Sequence, residues 1–421
     1  MLARFSRIDP ATNKYVRAGS PNLVYGTLVF VRSVIVMQAG RALARGATIA
    51  IRYCSIRRQF QDHDAPNNGK GENPVLNYMN VQYKLLNCLA ASYALHFTGH
   101  VTMQLYRDNQ NKMDQEANGA VTEQSGINLL ADLHATSCGL KALASSIAAE
   151  GLETCRRACG GHGYSSFSGI GPWYADYLPL RTFDGENDIL GQQVARYLLK
   201  SARQVLNDEN VAMNDTTKIL KHFLSRQDTG TAFDISNDSD IVSAYAYRAS
   251  FLTFEALNRQ DNRQAWNDLL IDFDRLARAH SQYLVVKNFL ATLDDPATTK
   301  ILNTETLQVV RRLFRLYALH TMEQEGADFL AASVCTSRQI NLITNTIINL
   351  MKEIRPHAVR LVDAWAFPDW QLDSSLGRYD GHIYEDLFLR ASEMNPLNDV
   401  TIDPYPDSPV LYKKDAKSSK L

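Results

Sequence analysis

The sequence is short of cysteine and has no excess of charge of either sign. Lysine and arginine number 44 against 45 aspartate and glutamate residues. No broad basic field therefore exists to hold a polyphosphate backbone, and nucleic acid is not an expected partner. The few cysteines form no CxxC pair and follow no secretory signal, so we expect a reducing compartment and a role as small apolar packing residues. They are Cys54, Cys88, Cys138, Cys155, Cys159 and Cys335.

Long hydrophobic runs and the common catalytic signatures are lacking as well. The most apolar stretch, Leu28 to Met37, is interrupted by Arg32. It is bounded by Gly26 and Arg41, well short of the roughly 20 residues that a membrane-spanning helix needs, so we expect no membrane span. No GxSxG, Walker or kinase signature occurs, which removes several enzyme classes without naming one.

Helical periodicity dominates what is present. Apolar and small residues recur at helical spacing in eight segments, and strand-type alternation is rare. These segments are 23–60, 76–106, 127–158, 187–205, 241–258, 264–293, 297–323 and 325–354. The sequence therefore predicts an all-α protein made of two consecutive helical bundles.

Composition marks the divisions of the chain. Ser20–Pro21 and Asp295–Pro296 are typical helix starts, and asparagine, aspartate, serine and threonine become frequent after the first four helices. The predicted divisions are a non-helical start at 1–19, a first bundle at 20–206, a linker at 207–240, a second helical domain at 241–393 and an extended tail at 394–421.

The last three residues, Ser419, Lys420 and Leu421, spell SKL, the address read by the peroxisomal import receptor. They follow the polar stretch YKKDAKSS, which is typical of an accessible tail. We expect localisation to the peroxisome matrix; the alternative is a solvated tail with no targeting role.

Two motifs offer weak or ambiguous chemistry. His96 and His100 lie one turn apart on a predicted helix, but no third ligand is in view, so we expect no metal site. In CRRACGGHGYSSFSGIG, three glycines surround a histidine: Gly160, Gly161 and Gly163. They either cap a helix and form a turn, or let backbone amides approach a phosphate or a planar ring closely, and spacing alone does not choose.

The segment RTFDGENDIL places Asp184 and Glu186 on either side of Gly185. In one interpretation a carboxylate accepts hydrogen bonds from the free amides of a helix start. In the other, a carboxylate at a tight turn on apolar ground acts as a general base. Composition does not decide between them.

Taken together, six segments resemble the peroxisomal acyl-CoA oxidases in order and spacing, over essentially the whole chain. They are YGTLVFVRSVIV, ATIAIRYCSIRRQF, NVQYKLL, ACGGHGYSSFSGI, TFDGENDIL and LGRYDGHIYEDLF. The resemblance implies the two C-terminal helical domains of the oxidase and dehydrogenase type, with 1–19 as a remnant of the central β-domain. It also implies FAD as cofactor and oxidation of a fatty acyl-CoA to the trans-2-enoyl-CoA, with dioxygen reduced to hydrogen peroxide. A homodimer, or a dimer with a full-length oxidase, is the implied assembly.

The resemblance assigns a role to one of the two carboxylates. Asp184 falls where the family has its catalytic glutamate, before the glycine of a TFEG pattern, and Glu186 falls where it has a second acidic residue that is not the base. We rank Asp184 ahead, because residues at i and i+2 do not share a direction. Aspartate is one methylene shorter than glutamate, so its carboxylate retreats by roughly 1 to 1.5 Å, and an error of about 1 Å can cost on the order of 100-fold in rate.

Four further residues are implied as cofactor contacts. Arg57 matches an arginine of the related dehydrogenases that reaches FAD phosphates across the dimer, and Gln82 matches a glutamine that contacts the same cofactor. Gly160 and Gly161 match the glycines that pass close to FAD.

The family's N-terminal helical domain and most of its β-domain have no counterpart here. We therefore expect either a truncated gene product or a part of a longer one. In both cases these 421 residues alone should bind FAD weakly or not at all, because an enclosed pocket is what holds a cofactor. A non-catalytic subunit that dimerises with a full-length oxidase is the alternative. An acyl-CoA dehydrogenase that passes electrons to a flavoprotein is disfavoured by the second helical domain and by SKL.

Overall fold

The structure, a computed structural model, describes residues 6–17, 22–61, 71–117, 123–207, 213–225 and 233–395. The expected helix start at Ser20–Pro21 and the SKL sequence at 419–421 lie outside these residues.

A two-stranded antiparallel hairpin precedes the helices. Strand β1 (Ser6–Ile8) pairs with β2 (Tyr15–Arg17), with Arg7 opposite Val16. Asp9 begins the turn by accepting a hydrogen bond from the amide of Ala11 at 2.9 Å. The predicted non-helical start at 1–19 therefore contains a hairpin, and its assignment to a β-domain stays a prediction.

Fifteen α-helices follow in the described residues. The first five are α1 (Asn22–Ile56), α2 (Met79–Ala117), α3 (Glu123–Ala158), α4 (Ile170–Tyr177) and α5 (Asn187–Leu206). The next five are α6 (Asp215–Ser225), α7 (Asp238–Asp261), α8 (Leu270–Asp294), α9 (Pro296–Ile301) and α10 (Thr304–Gln324). The last five are α11 (Gly326–Ala331), α12 (Ser337–Ile354), α13 (Ala358–Asp363), α14 (Asp369–Leu372) and α15 (Ile383–Ser392).

The all-α prediction is confirmed. The four helices predicted for the first bundle are present as α1, α2, α3 and α5, and the predicted start at Asp295 caps α9 by accepting from the amide of Ala297.

Two of the later predicted helices are interrupted. The segment 297–323 breaks between α9 and α10, because Asn303 caps a new helix with its side-chain oxygen. The segment 325–354 breaks between α11 and α12, where Thr336 and Gln339 form a capping box. Caps of this kind compete locally with helix continuation, which an apolar period does not register.

Helix α1 is the central element of the first bundle and packs against both α2 and α3. Its backbone touches that of α2: a Cβ on Gly40 would lie 2.6 Å from the amide nitrogen of His96, and a Cβ on Gly99 would lie 2.4 Å from Met37 Cα. Only glycine fits at these two crossings, so the small residues in the helical pattern set the distance between the helices.

The apolar helix is longer than the sequence analysis expected, and this corrects the expectation about membrane spans. Within the described residues, Leu28–Ile56 is long enough and, with a mean hydropathy of 1.3, apolar enough to cross a membrane. The apolar stretch expected from the sequence ended before Arg41, whereas the helix continues to Ile56. In the fold, 72% of the 18-residue stretch with this hydropathy is buried inside the protein, as in the core helix of a bundle.

All six cysteines are free and buried, which confirms their expected role in packing. Burial raises the pKa of the Cys54 thiol to about 12 and that of Cys335 to about 11.

The two helical parts share one hydrophobic core. Helix α8 packs against α2, α3 and α5, and the rings of Phe97 and Phe289 lie 5.2 Å apart across the α2–α8 contact. The predicted linker at 207–240 contains helix α6, which packs on α5 and α7. The domain boundary itself stays a prediction.

A buried ion network joins α7, α8 and α11. The Arg248 side chain is fully buried and donates to Asp328 Oδ2 at 2.6 Å and to Gln282 Oε1 at 2.6 Å. Arg275 donates to the other carboxylate oxygen of Asp328, at 2.8 Å from its Nε, and Glu325 lies 3.3 Å from the guanidinium of Arg248. Both oxygens of the Asp328 carboxylate are therefore satisfied.

Candidate functional site

The turn before α5 separates the two candidate carboxylates. Glu186 is the N-cap of α5, and its Oε2 accepts from the amides of Asp188 at 2.8 Å and Ile189 at 3.4 Å. The helix-start interpretation of this segment therefore applies to Glu186, whose side chain is exposed.

Asp184 lies at the turn itself, in the left-handed region at φ 58°. Aspartate and asparagine are among the few residues other than glycine that occupy this region readily. Gly185 follows at φ 112°, where its Cβ would meet Leu190 Cδ2 at 2.6 Å. The turn therefore sends residue 184 in a direction different from that of Glu186, and leaves its side chain half-buried.

Two buried cations beneath this turn are the residues that the sequence did not identify. Arg32 on α1 donates from Nε to the carbonyl of Asp184 at 2.9 Å and from Nη1 to Cys138 Sγ at 3.2 Å. Lys141 on α3 donates to the carbonyl of Gly185 at 2.7 Å. Their only sequence signal is a single charge within an otherwise apolar or small-residue helix face.

Capping by Glu186 gives a prediction for stability. Glu186→Ala is expected to lower the free energy of unfolding by about 1 kcal/mol, because two amides at the start of α5 lose their acceptor. Urea denaturation of the purified chain measures this. Glu186→Asp keeps an oxygen acceptor that is favoured at N-caps and should lose much less, whereas an equal loss in both variants would mean that the cap contributes nothing.

The residues matched to the cofactor lie at the other end of the first bundle. Arg57 directly follows α1, is partly exposed, and donates from Nη1 to the hydroxyl of Tyr384 at 3.3 Å. Gln82, on the first turns of α2, is buried and donates to the carbonyl of Asn77 at 3.2 Å. The amide of Val75 bonds to the carbonyl of Arg57, so the segment before α2 links the two residues.

The glycines after α3 reach the same end. Cys54 Sγ lies 3.6 Å from the carbonyl of Ala158, and the rings of Tyr53 and His162 are 5.9 Å apart. Gly160 and Gly161 are exposed, and a Cβ on either would meet no atom within 4 Å. Open backbone of this kind fits the phosphate portion of a dinucleotide, and Arg57 carries a guanidinium that suits the same group.

A single copy does not bring the base position and the cofactor positions together. Arg32, which contacts Asp184, and Ile56, which precedes Arg57, are both on α1 and 24 residues apart. At about 1.5 Å per residue, this separates them by about 36 Å. The base position and the cofactor positions therefore lie toward opposite ends of α1.

The histidine pair packs among aromatic rings. The His96 and His100 rings lie 4.5 Å apart, and His96 also contacts Trp365 at 5.0 Å. Burial, with the charges of His100 and Arg41, lowers the pKa of His96 to about 4. Across the part of the chain that the structure describes, no group of three or more metal-ligating side chains is found.

A cavity of about 720 Å³ lies between the first bundle and helices α8 and α10. Glu186 lines it, together with Asn187, Asp274 and Arg278, whereas Asp184 lies outside its lining. Burial raises the pKa of the Asp274 carboxyl; the charge of Arg278 acts against this, and neighbouring acidic groups act with it. The two carboxylates of the turn therefore face different environments.

Comparison with known proteins identifies relatives over nearly the whole chain. The family model described as "Acyl-CoA oxidase, C-alpha1 domain" matches residues 25–199, and the model described as "Acyl-CoA oxidase" matches residues 237–408. Peroxisomal acyl-coenzyme A oxidase 1 of Rattus norvegicus is 37% identical over 415 residues, covering 94% of this chain and 59% of the rat protein.

Solved structures agree with these matches. Acyl-CoA oxidase 1 of Arabidopsis thaliana superposes with a TM-score of 0.86 at 34% identity, over 97% of this chain and 61% of that one. Acyl-CoA oxidase-2 of Caenorhabditis elegans, crystallised with FAD, ascaroside-CoA and ATP, gives a TM-score of 0.84 at 29% identity, over 98% of this chain and 59% of that one. The chain thus spans about three fifths of the length of these relatives.

Proposed function

The chain belongs to the acyl-CoA oxidase family, and from this we propose that it forms the helical part of an FAD-dependent acyl-CoA oxidase. The proposed reaction converts a fatty acyl-CoA to the trans-2-enoyl-CoA and reduces dioxygen to hydrogen peroxide. One observation carries the proposal. The turn at 184–186 presents a half-buried aspartate above two buried cations and assigns the neighbouring glutamate to a helix cap.

Asp184 supplies the base in this proposal. Its carboxylate takes the α-proton of the acyl-CoA, the β-hydrogen leaves with its electron pair, and a double bond forms between the two carbons. FAD, when bound, supplies the acceptor for that hydride and the route of the electrons to dioxygen. The chain's own contribution is orientation, because a base acts only when its oxygen is held within hydrogen-bond reach of the proton.

A dimer is part of the proposal. The separation of about 36 Å along α1 supports an arrangement in which one FAD joins Asp184 of one copy to Arg57, Gln82, Gly160 and Gly161 of another. Arg57 and the two glycines then hold phosphates, and the base position of the other copy faces the reacting end. A full-length oxidase as the second subunit satisfies the same geometry.

Peroxisomal localisation is proposed from two independent features. The rat relative carries "peroxisomal" in its name, and residues 419–421 spell the import address SKL. The import receptor is therefore a proposed partner, and the pathway is fatty-acid β-oxidation.

The non-catalytic alternative rests on the identity of residue 184. An aspartate in place of the family's glutamate leaves the carboxylate roughly 1 Å short, which is compatible with a subunit that dimerises and shares import without turning over substrate. This alternative would be favoured by co-purification with a full-length oxidase, together with a rate of peroxide formation that Asp184→Asn leaves unchanged.

The test uses the visible spectrum and a peroxide assay. We expect the 421-residue chain, incubated with FAD and desalted, to keep little flavin, because the exposed Gly160–Gly161 surface encloses little of a ligand. A chimera that joins this chain behind the part of the rat relative preceding the matched region should keep the flavin bands and form peroxide from palmitoyl-CoA. A flavin-loaded chimera that forms no peroxide would contradict the enzymatic proposal.

A further inference from the structure

Two buried cationic side chains hold the turn that carries Asp184 against the bundle by donating hydrogen bonds to its backbone carbonyls. Lys141 is fully buried, and its ammonium donates to the carbonyls of Gly185 at 2.7 Å and Arg181 at 3.2 Å. Its third partner is Asn187 Oδ1, at 2.9 Å. The three protons of one ammonium therefore meet three acceptors that lie before, within and after the turn.

Arg32 fastens the same turn from a different helix. Its side chain is only 5% exposed, and its Nε–H donates to the carbonyl of Asp184 itself at 2.9 Å. Arg32 is on α1 and Lys141 on α3, so the turn is held from two helices that pack directly on each other.

Asn187 extends this attachment to the start of α5. Its Nδ2 lies within hydrogen-bond distance of Ser145 Oγ and Ser146 Oγ, both at 3.0 Å, and of the carbonyl of Ala142 at 3.2 Å. Every one of these partners is on α3. The position of the turn is thus set by α3 on both sides of Asp184.

We propose that Lys141 and Arg32 are positioning residues for the base: by binding backbone carbonyls of the turn, they fix the direction in which the Asp184 carboxylate points. This inference rests on the proposed function of Asp184. A short base needs accurate placement more than a long one, because an error of about 1 Å costs on the order of 100-fold and aspartate has few torsions with which to compensate.

The charge of Lys141 gives the inference a pH signature. Burial lowers the pKa of its ammonium to about 8, and the charge of Arg32 on α1 adds to this. Glu186 and Asp184 in the turn, and Cys138 on α3, act in the opposite direction. Below pH 8 three N–H donors serve three acceptors; above it, one donor is lost and the turn loosens.

Hydrogen exchange of the 421-residue chain tests this directly. With intrinsic rates corrected, the amides of Thr182 and Phe183, which bond to the carbonyl of Pro179, should exchange faster as pH rises through about 8. Lys141→Met should speed their exchange about tenfold or more at pH 7, as expected for the loss of a hydrogen bond from a charged donor. Lys141→Arg should restore protection and remove the pH step, since an arginine stays charged.

Lys200→Met is the matched control, since Lys200 is exposed on α5. It should leave exchange in the turn unchanged. Exchange that is equal in wild type and Lys141→Met, or that rises uniformly across α1 to α5, would overturn the inference. The pH titration of the wild-type chain gives the same answer without any substitution.

Kinetics of the flavin-loaded chimera with palmitoyl-CoA separate positioning from binding. Lys141→Met should lower kcat by about 100-fold with KM unchanged, because only the placement of the base is lost. An unchanged kcat with a raised KM would overturn the positioning role. If the wild-type chimera forms no peroxide at all, the proposed function fails, and the exchange data alone decide whether the attachment exists.

Discussion

Asp184→Asn is expected to lower the rate of α-proton removal from a bound acyl-CoA by about 100- to 10,000-fold, the usual contribution of a positioned general base. Asparagine has the size of aspartate and tolerates the left-handed conformation at φ 58°. Since the turn keeps its shape, the loss reports the carboxylate itself. The flavin-loaded chimera is incubated with palmitoyl-CoA that carries deuterium at the α-carbon. Mass spectrometry of the acyl-CoA then measures the rate at which the deuterium is lost.

Glu186→Gln is the matched control, the same chemical change two residues away on the capping side chain. It should keep proton exchange, because Glu186 faces the amides of α5 and the cavity instead of the direction of Asp184. Exchange that disappears in Glu186→Gln and survives in Asp184→Asn would show that the base has been assigned to the wrong carboxylate. Asp184→Glu should raise turnover, since the added methylene recovers roughly 1 Å of reach.

Asp328→Asn is expected to destabilise the protein by about 3 kcal/mol or more. The substitution removes the principal counter-charge of Arg248, whose side chain is 0% exposed, and an uncompensated buried charge is costly. Gln282 and Glu325 remain beside the guanidinium and limit the loss. Urea denaturation at pH 7 gives the free energy of unfolding.

The control for this variant is Asp261→Asn, which removes the ion pair with Arg203. The side chains of both partners are exposed. An exposed pair of this kind contributes about 0 to 1 kcal/mol, so a similar loss in both variants would mean that burial of the Arg248 network adds nothing.

The pH dependence of the network has a definite sign. Burial acts to raise the pKa of the Asp328 carboxyl, but hydrogen bonds from Arg275 and Arg248 outweigh it, and the pKa is lowered in the fold. Because this carboxyl has a lower pKa in the fold than in the unfolded chain, it stabilises the fold at pH values above the unfolded pKa, near 3.8. This contribution is lost as the pH falls through the folded pKa. Asp328→Asn should therefore flatten the acid limb of the stability curve.

The sequence predicted the long helices because burial on one face repeats every turn. It did not predict the breaks before α10 and α12, because Asn303 and Thr336 begin new helices through local side-chain hydrogen bonds that an apolar period does not contain. A proline follows the cap at Asp295 and none follows the cap at Asn303, so only the first start was predicted.

At the site, the sequence supplied two carboxylates and could not separate them. The difference between Asp184 and Glu186 arises from a left-handed residue and a cap, and both depend on how α5 docks on α3. In the sequence, Arg32 and Lys141 resembled interruptions of apolar helix faces, because their acceptors are distant backbone carbonyls. Lys141 donates to a carbonyl 44 residues away, and Arg32 donates to one 152 residues away. Only tertiary contact gives such residues a role.

The buried cysteines bear on chemical durability. An enzyme that generates peroxide exposes its own polypeptide to an oxidant at every turnover, and the species that peroxide attacks is the thiolate. Burial holds the pKa of the thiols of Cys54 and Cys335 at about 12 and 11, and raises the pKa of Cys159 as well. The pKa of Cys155 is raised by a hydrogen bond with Cys88 and, after it, by burial. Very little thiolate exists at neutral pH, and what exists is out of reach of solvent. Under the proposed function, the packing that builds the core would also keep these thiols from reacting with the peroxide that is formed.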